Sequence, residues 1–222
     1  RGLGDVYKRQ PYACVGDKGE GPVKKKTIIE KGKPVEVVDW NCNEGEIGVV
    51  KSYDQFAPKE WQRSGRYTSI NGLVQPVFNA KAGEVQRWRL VHAGIRDTIT
   101  LKIVKLQDKK QLGMLETPQG DAIEAAKEFI DQTCTGESVP YEVIAADGLT
   151  YAKAQGKEQV TLQPGYRHDL LVSFPSEGGY CLIDESSPKS GSVSQENNIP
   201  QLLGYVKVDG KAVSDGKEHI KN

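Results

Sequence analysis

Few side chains in this 222-residue chain could do metal or redox chemistry: three histidines (His92, His168, His219), one methionine (Met114) and four cysteines (Cys14, Cys42, Cys134, Cys181). A mononuclear blue-copper centre takes two His, one Cys and a weak axial Met converging on one ion. Here no Cys has a His beside it, and no His-x-His pair occurs. His92 shares the parity of Trp88 and Leu90 on a β-prone run and reads as a hydrogen-bonded structural histidine. His168 reads the same way. The cysteines show no CxxC and no Cys/His spacing of the zinc kind. They read as two disulfides, for which four cysteines allow three pairings. Cys14–Cys42 with Cys134–Cys181 keeps each bridge within one half of the chain and is preferred; buried free thiols are the other reading. Disulfides point to a periplasmic or extracellular home.

No other catalytic constellation stands out. Gly16, Gly19 and Gly21 precede no helix and make no phosphate loop. The serines at 186–187 and 190–194 lack the strand–turn–helix setting of a nucleophile. Asp184 and Glu185 are adjacent, but on a strand they point to opposite faces and make a poor acid/base pair. Arg87, Arg89 and Arg167 can pair with Asp147 and Asp169, fixing strands in register or marking an inter-domain face.

These residues are positioned by β-structure. Thr68 to Leu73 runs as a strand into Asn71-Gly72, and Ala82-Gly83-Glu84 reverses the chain. Val85 to Val91 then alternates, with Trp88 and Leu90 on one face and Arg87 and Arg89 on the other. Further strands are expected at Lys33–Trp40, Thr98–Leu106, Tyr141–Ala146, Glu158–Leu162, His168–Phe174, Gly178–Asp184 and Leu202–Val208. Asp147-Gly148 and Pro164-Gly165 are turns. Asp17–Lys26 and Glu185–Gln201 read as loops, and Tyr53–Arg66 as an aromatic-pinned connection. One stretch breaks the β rhythm. Asp121 with Glu124 resembles a capping box, and Ile123, Ala126 and Ile130 recur at helical spacing, which predicts one surface helix near 121–132.

The ordered series Ile70-Asn71-Gly72, Gly83-Glu84, Arg87-Trp88-Arg89-Leu90, Ala145-Ala146-Asp147-Gly148 and Leu162 to Val172, with Pro164, Gly165 and Asp169 inside it, resembles the middle cupredoxin-like (plastocyanin-like) domain of multicopper oxidases. These are the laccase, ascorbate oxidase and bilirubin oxidase superfamily. The resemblance runs over residues 67–184. It implies an all-β Greek-key sandwich or barrel with the helix inserted. It also implies a parent enzyme that couples one-electron oxidation of a substrate to reduction of dioxygen to water. That family often has Asn where this chain has His92, and Asp169 is the more regular feature beside His168. The family's trinuclear cluster uses His-x-His pairs that this chain lacks, and the middle domain separates the two that carry copper. The expectation is therefore that this chain has no catalytic, cofactor-binding or metal-binding residue of its own. Copper would sit in flanking cupredoxin domains of the same polypeptide, which are its expected partners. The alternative is a free-standing, metal-free cupredoxin-like binding or structural module.

Composition agrees with a turn-rich β protein: 37% of residues are hydrophobic and 24 are Gly. Lys+Arg and Asp+Glu are both 30, so no net field draws the chain to nucleic acid. No apolar run approaches the roughly 20 residues of a membrane span. Residues 1–10 resemble the translation of a sequencing adaptor and are set aside. The remainder has 27 basic against 29 acidic residues. One domain is expected over 11–208, with its core about 67–208, followed by a tail or linker over 209–222.

Overall fold

The computed structural model describes residues 13–16, 21–30, 32–39, 42–51, 68–94, 97–107, 122–185, 187–192 and 200–210. Residues 1–10, the connection Tyr53–Arg66, Met114, Asp121, His219 and the tail from 211 lie outside them. The chain divides into two compact units, Arg1–Tyr67 and Thr68–Asn222.

In the first unit, β1 (Ala13–Val15) pairs antiparallel with β4 (Ile47–Val49), and β2 (Lys25–Glu30) pairs with β3 (Lys33–Val38). The expected loop to Lys26 ends two residues sooner, at Lys24. Lys25 stands opposite Val38, and its ammonium reaches Glu36 across the pair at 3.5 Å. Cys14, fully buried on β1, is bonded to Cys42 with a Cα–Cα distance of 5.2 Å.

The second unit opens with a hairpin where one strand is expected: β5 (Ser69–Ile70) and β6 (Leu73–Val74) flank Asn71-Gly72. Both turn residues have positive φ, 54° and 80°. That is the geometry of a two-residue primed turn, which Asn-Gly adopts with little strain. Asp147-Gly148 repeats it. The remaining strands are β7 (Val77–Lys81), β8 (Val85–Val91), β9 (Ile99–Lys105), β10 (Tyr141–Ala146), β11 (Leu149–Lys157), β12 (Gln159–Leu162), β13 (Arg167–Ser173), β14 (Gly178–Asp184) and β15 (Gln201–Asp209). They build a four-stranded sheet, β11-β10-β13-β8, and a five-stranded sheet, β12-β9-β14-β15-β7. All pairings are antiparallel except β15 with β7. The chain crosses repeatedly between the sheets. Neighbours such as β8 and β13, or β9 and β14, are far apart in sequence, as in an all-β cupredoxin-like Greek-key sandwich. Thr68 at the start of the unit donates its hydroxyl to Gln201 at the start of β15 (3.0 Å).

The main core fills the space between the sheets with Leu101, Ile103, Leu170, Val172, Phe174, Tyr180, Leu182 and Val206. Trp88 packs on Phe78 and Phe174, with ring centroids 6.4 and 6.1 Å apart. A second core lies on the outer face of the five-stranded sheet. There Val104, Cys181, Ile183, Leu202 and Tyr205 meet Ile130 of helix α1 (Ala122–Thr133) and Cys134 just beyond it. Thr98–Leu106 is therefore not half wet, as its sequence pattern suggests: Ile103 faces one core and Val104 the other. A disulfide joins Cys134 to Cys181 in the middle of β14, Cα–Cα 5.9 Å, across a sequence separation of 47 residues. Replacing both cysteines by Ala should lower the stability of this unit by about 2–4 kcal/mol, the usual effect of opening a loop of that size. Urea unfolding with and without the pair measures it.

Candidate functional site

The motif residues gather on the four-stranded sheet. Arg87, Arg89 and Val91 point away from the core of β8, and Trp88 points into it. Opposite them on β13, Asp169 stands directly across from Arg89. Its carboxylate accepts from the Arg87 guanidinium and lies 3.8 Å from Arg89 Nε. At the end of the same sheet the Asp147 carboxylate accepts from the Arg167 amide (2.9 Å) and lies 3.9 Å from its guanidinium. The turns complete the set. Gly83 donates its amide to Phe174 O (2.8 Å), and Gly165, beside Pro164, donates to His92 O (2.9 Å). The arginines are more than half exposed, so these pairs set strand register more than they stabilise.

A second cluster is buried, and sequence reasoning found only part of it. The start of β9 and the ends of β12 and β14 meet at one end of the five-stranded sheet. Among the described residues, six buried polar side chains gather there: His92, Asp97, Thr98, Thr100, Asp184 and Ser187. Thr100 Oγ1 is 3.0 Å from Thr161 Oγ1 and 2.9 Å from Ser187 Oγ. Thr98 Oγ1 donates to Gln163 Oε1 at 2.7 Å. Asp97 Oδ1 accepts from the Thr98 amide (2.9 Å), and Asp184 Oδ1 from the Thr100 amide (2.7 Å). Burial pushes the Asp97 carboxyl up to about 6. Asp184 is pushed well above the usual carboxylate range, first by burial and then by the charge of Asp97. Asp184 and Glu185 do point apart: Glu185 pairs with Lys102 at 3.2 Å. Asp97 was not legible, because nothing around it in sequence announces that it is inside.

His92 is occupied at both nitrogens. Nε2 lies 2.9 Å from the Asp97 carbonyl and donates to it, while Nδ1 accepts from the Gly94 amide at 3.0 Å. Burial lowers its pKa and keeps it neutral. A ring with both nitrogens engaged has no lone pair to offer a metal.

The other candidate ligands fit copper no better. Cys134 and Cys181 are consumed by their bond. Cys14, Cys42 and Glu46 bring ligand atoms within 4.8 Å of one another, but the two sulfurs are bonded. Glu46 is held by Lys24 at 3.4 Å and by the Asn43 amide at 2.6 Å. His168 packs edge-on to Tyr166, with centroids 6.4 Å apart. The described residues supply no thiolate, and these side chains do not fit a blue-copper centre.

No protein-family model matches the chain, and no curated protein matches it. Solved structures do. A multicopper oxidase from Campylobacter jejuni, described as a metallo-oxidase, aligns with a TM-score of 0.48 at 16% identity, over 81% of this chain and 29% of its own. McoA, a multicopper oxidase from Aquifex aeolicus, gives 0.44 at 14% identity over 63% and 24%. The laccase-like multicopper oxidase CueO from Ochrobactrum sp. gives 0.40 at 20% identity over 64% and 24%. The chain spans about a quarter of the length of these structures.

Two outcomes follow from the geometry. A Cβ on Gly94 would sit 2.6 Å from His92 Cε1, and the ring is pinned at both nitrogens. Gly94→Ala should therefore cost about 1–3 kcal/mol. In a His92→Ala background the same change should cost little, and a double-mutant cycle by chemical denaturation measures that coupling. Asp169→Ala should change stability by about 1 kcal/mol or less, read by the same denaturation.

Proposed function

We propose that the second unit is a cupredoxin-like domain of a multicopper oxidase, and within it the middle domain that holds no copper. The observation that carries this reading is the ordered motif series and where it falls. Asn71-Gly72, Gly83, Arg87-Trp88-Arg89, Asp147-Gly148, Pro164-Gly165 and Asp169 occupy, in sequence order, the turns and facing strands of one two-sheet sandwich. The ligand chemistry supports it, since the described cysteines are paired and His92 is spent on hydrogen bonds.

On this reading the parent enzyme couples one-electron oxidation of a substrate to reduction of dioxygen to water, in domains outside this chain. The contribution of this unit is geometric: a rigid sandwich that holds flanking cupredoxin domains of the same polypeptide at a fixed separation. Its outer sheet suits such contacts, because Val91 remains 64% exposed opposite Arg167. The disulfides support a periplasmic or extracellular home. Among the described residues no helix is long and apolar enough to cross a membrane.

Copper titration of the purified chain is the direct test. We expect no stoichiometric binding and no visible thiolate-to-copper charge-transfer band; such a band at one copper per chain would overturn the reading. Reading frames on either side of this one in the genome should encode His-x-His pairs. A gene that encodes this unit alone would instead make it a free-standing, metal-free module.

A further inference from the structure

The carboxyls of Asp97 and Asp184 are each 1% exposed. Each is held by one oxygen on a backbone amide of the same short segment, Thr98 and Thr100. The other oxygen of each, Asp97 Oδ2 and Asp184 Oδ2, is buried with no hydrogen-bond partner. Burying one carboxylate without compensation costs several kcal/mol, and a second like charge beside it adds to that cost. Among the described residues, the groups around the pair offer no positive charge. Lys102 is turned to Glu185, and His92 is neutral, with Nε2 committed to the Asp97 carbonyl. The neighbouring hydroxyls are spent on one another: Thr98 donates to Gln163, and Thr100 bonds to Thr161 and Ser187.

Protonating a carboxyl removes its charge but makes the free oxygen a donor with no partner. A cation removes the charge and engages the free oxygens as well. The two free oxygens are hard donors, and two carboxylates match a divalent charge. Calcium accepts irregular shells of carboxylate and neutral oxygens, whereas magnesium keeps several of its waters and demands an octahedron that a buried site does not readily give. We propose that Asp97 and Asp184 hold a calcium ion at the end of the five-stranded sheet, pinning the start of β9 to the end of β14. This site is independent of the copper chemistry assigned to the parent enzyme.

The test uses the full 222-residue chain, freed of metal with a chelator and titrated with calcium chloride at neutral pH. Binding is followed by calorimetry and by the thermal midpoint. We expect saturable binding of one calcium, a midpoint that rises with it, and a weaker response to magnesium. Asp97→Asn and Asp184→Asn should each weaken calcium binding roughly tenfold or more, through the lost ligand charge. Each should also leave the metal-free protein at least as stable as the metal-free parent, because the substitution removes a buried charge. Should a variant fail to fold, hydrogen exchange on the unaltered chain decides. Calcium should slow the Thr98 and Thr100 amides first; protection elsewhere that leaves these two unchanged overturns the proposal. So does calcium binding that both Asn variants retain. A midpoint indifferent to calcium that rises on acidification through about 6 also overturns it, because the pair is then neutralised by protons.

Discussion

The constraint from which the rest of the second unit follows is that the three central strands of its five-stranded sheet, β9, β14 and β15, are dry on both faces. β14 and β15 are buried along nearly their whole length, which half-wet antiparallel strands are not. One face is covered by the four-stranded sheet. The other needs a separate cover, and the chain between β9 and β10 supplies it as α1. A helix of this length is marginal alone. Its docking rests on Ile130 and Cys134 packing against Val104, Cys181 and Tyr205, and on the bond from Cys134 to Cys181. The four-stranded sheet has only one dry face, so β8 alternates and carries its arginines outward.

The same constraint explains where the polar groups go. A strand sealed on both sides carries polar side chains most readily near its ends, and Thr98, Thr100, Asp184 and Ser187 collect at one end of this sheet. The hydroxyls there satisfy one another in chains that run from β12 through β9 to the loop after β14. The two carboxyls are the members left incompletely satisfied. Such networks are strong when complete and costly when not.

What the sequence disclosed was whatever local chemistry decides. Asn71-Gly72 and Asp147-Gly148 specify primed turns by themselves, and Val85–Val91 displays its faces by alternation. The helix showed through apolar spacing, one residue off its observed bounds. Strands whose pattern is blurred were not visible. β11 (LTYAKAQGK) is an edge strand with little burial and no clean period. β7 follows Pro76 and is made a strand by parallel pairing with β15, more than a hundred residues on. β4 is too short to show a period. Asp97 was hidden for a related reason, because the like charge it faces, Asp184 on β14, lies over eighty residues away. For the cysteines, the count limited the pairing to three choices, and the fold joins each to its neighbour in sequence.

Thr68 is tied to Gln201 at one end of β15, while β15 runs on to Asp209 at the other. Eight steps of extended chain separate these points, roughly 25 Å at strand rise. Thr68 and Asp209 therefore stand at opposite poles of the described part of this unit. Pulling Thr68 against Asp209 would load the parallel β15–β7 ladder in shear, so this part of the unit should behave under tension as a strut and not as a pendant bead.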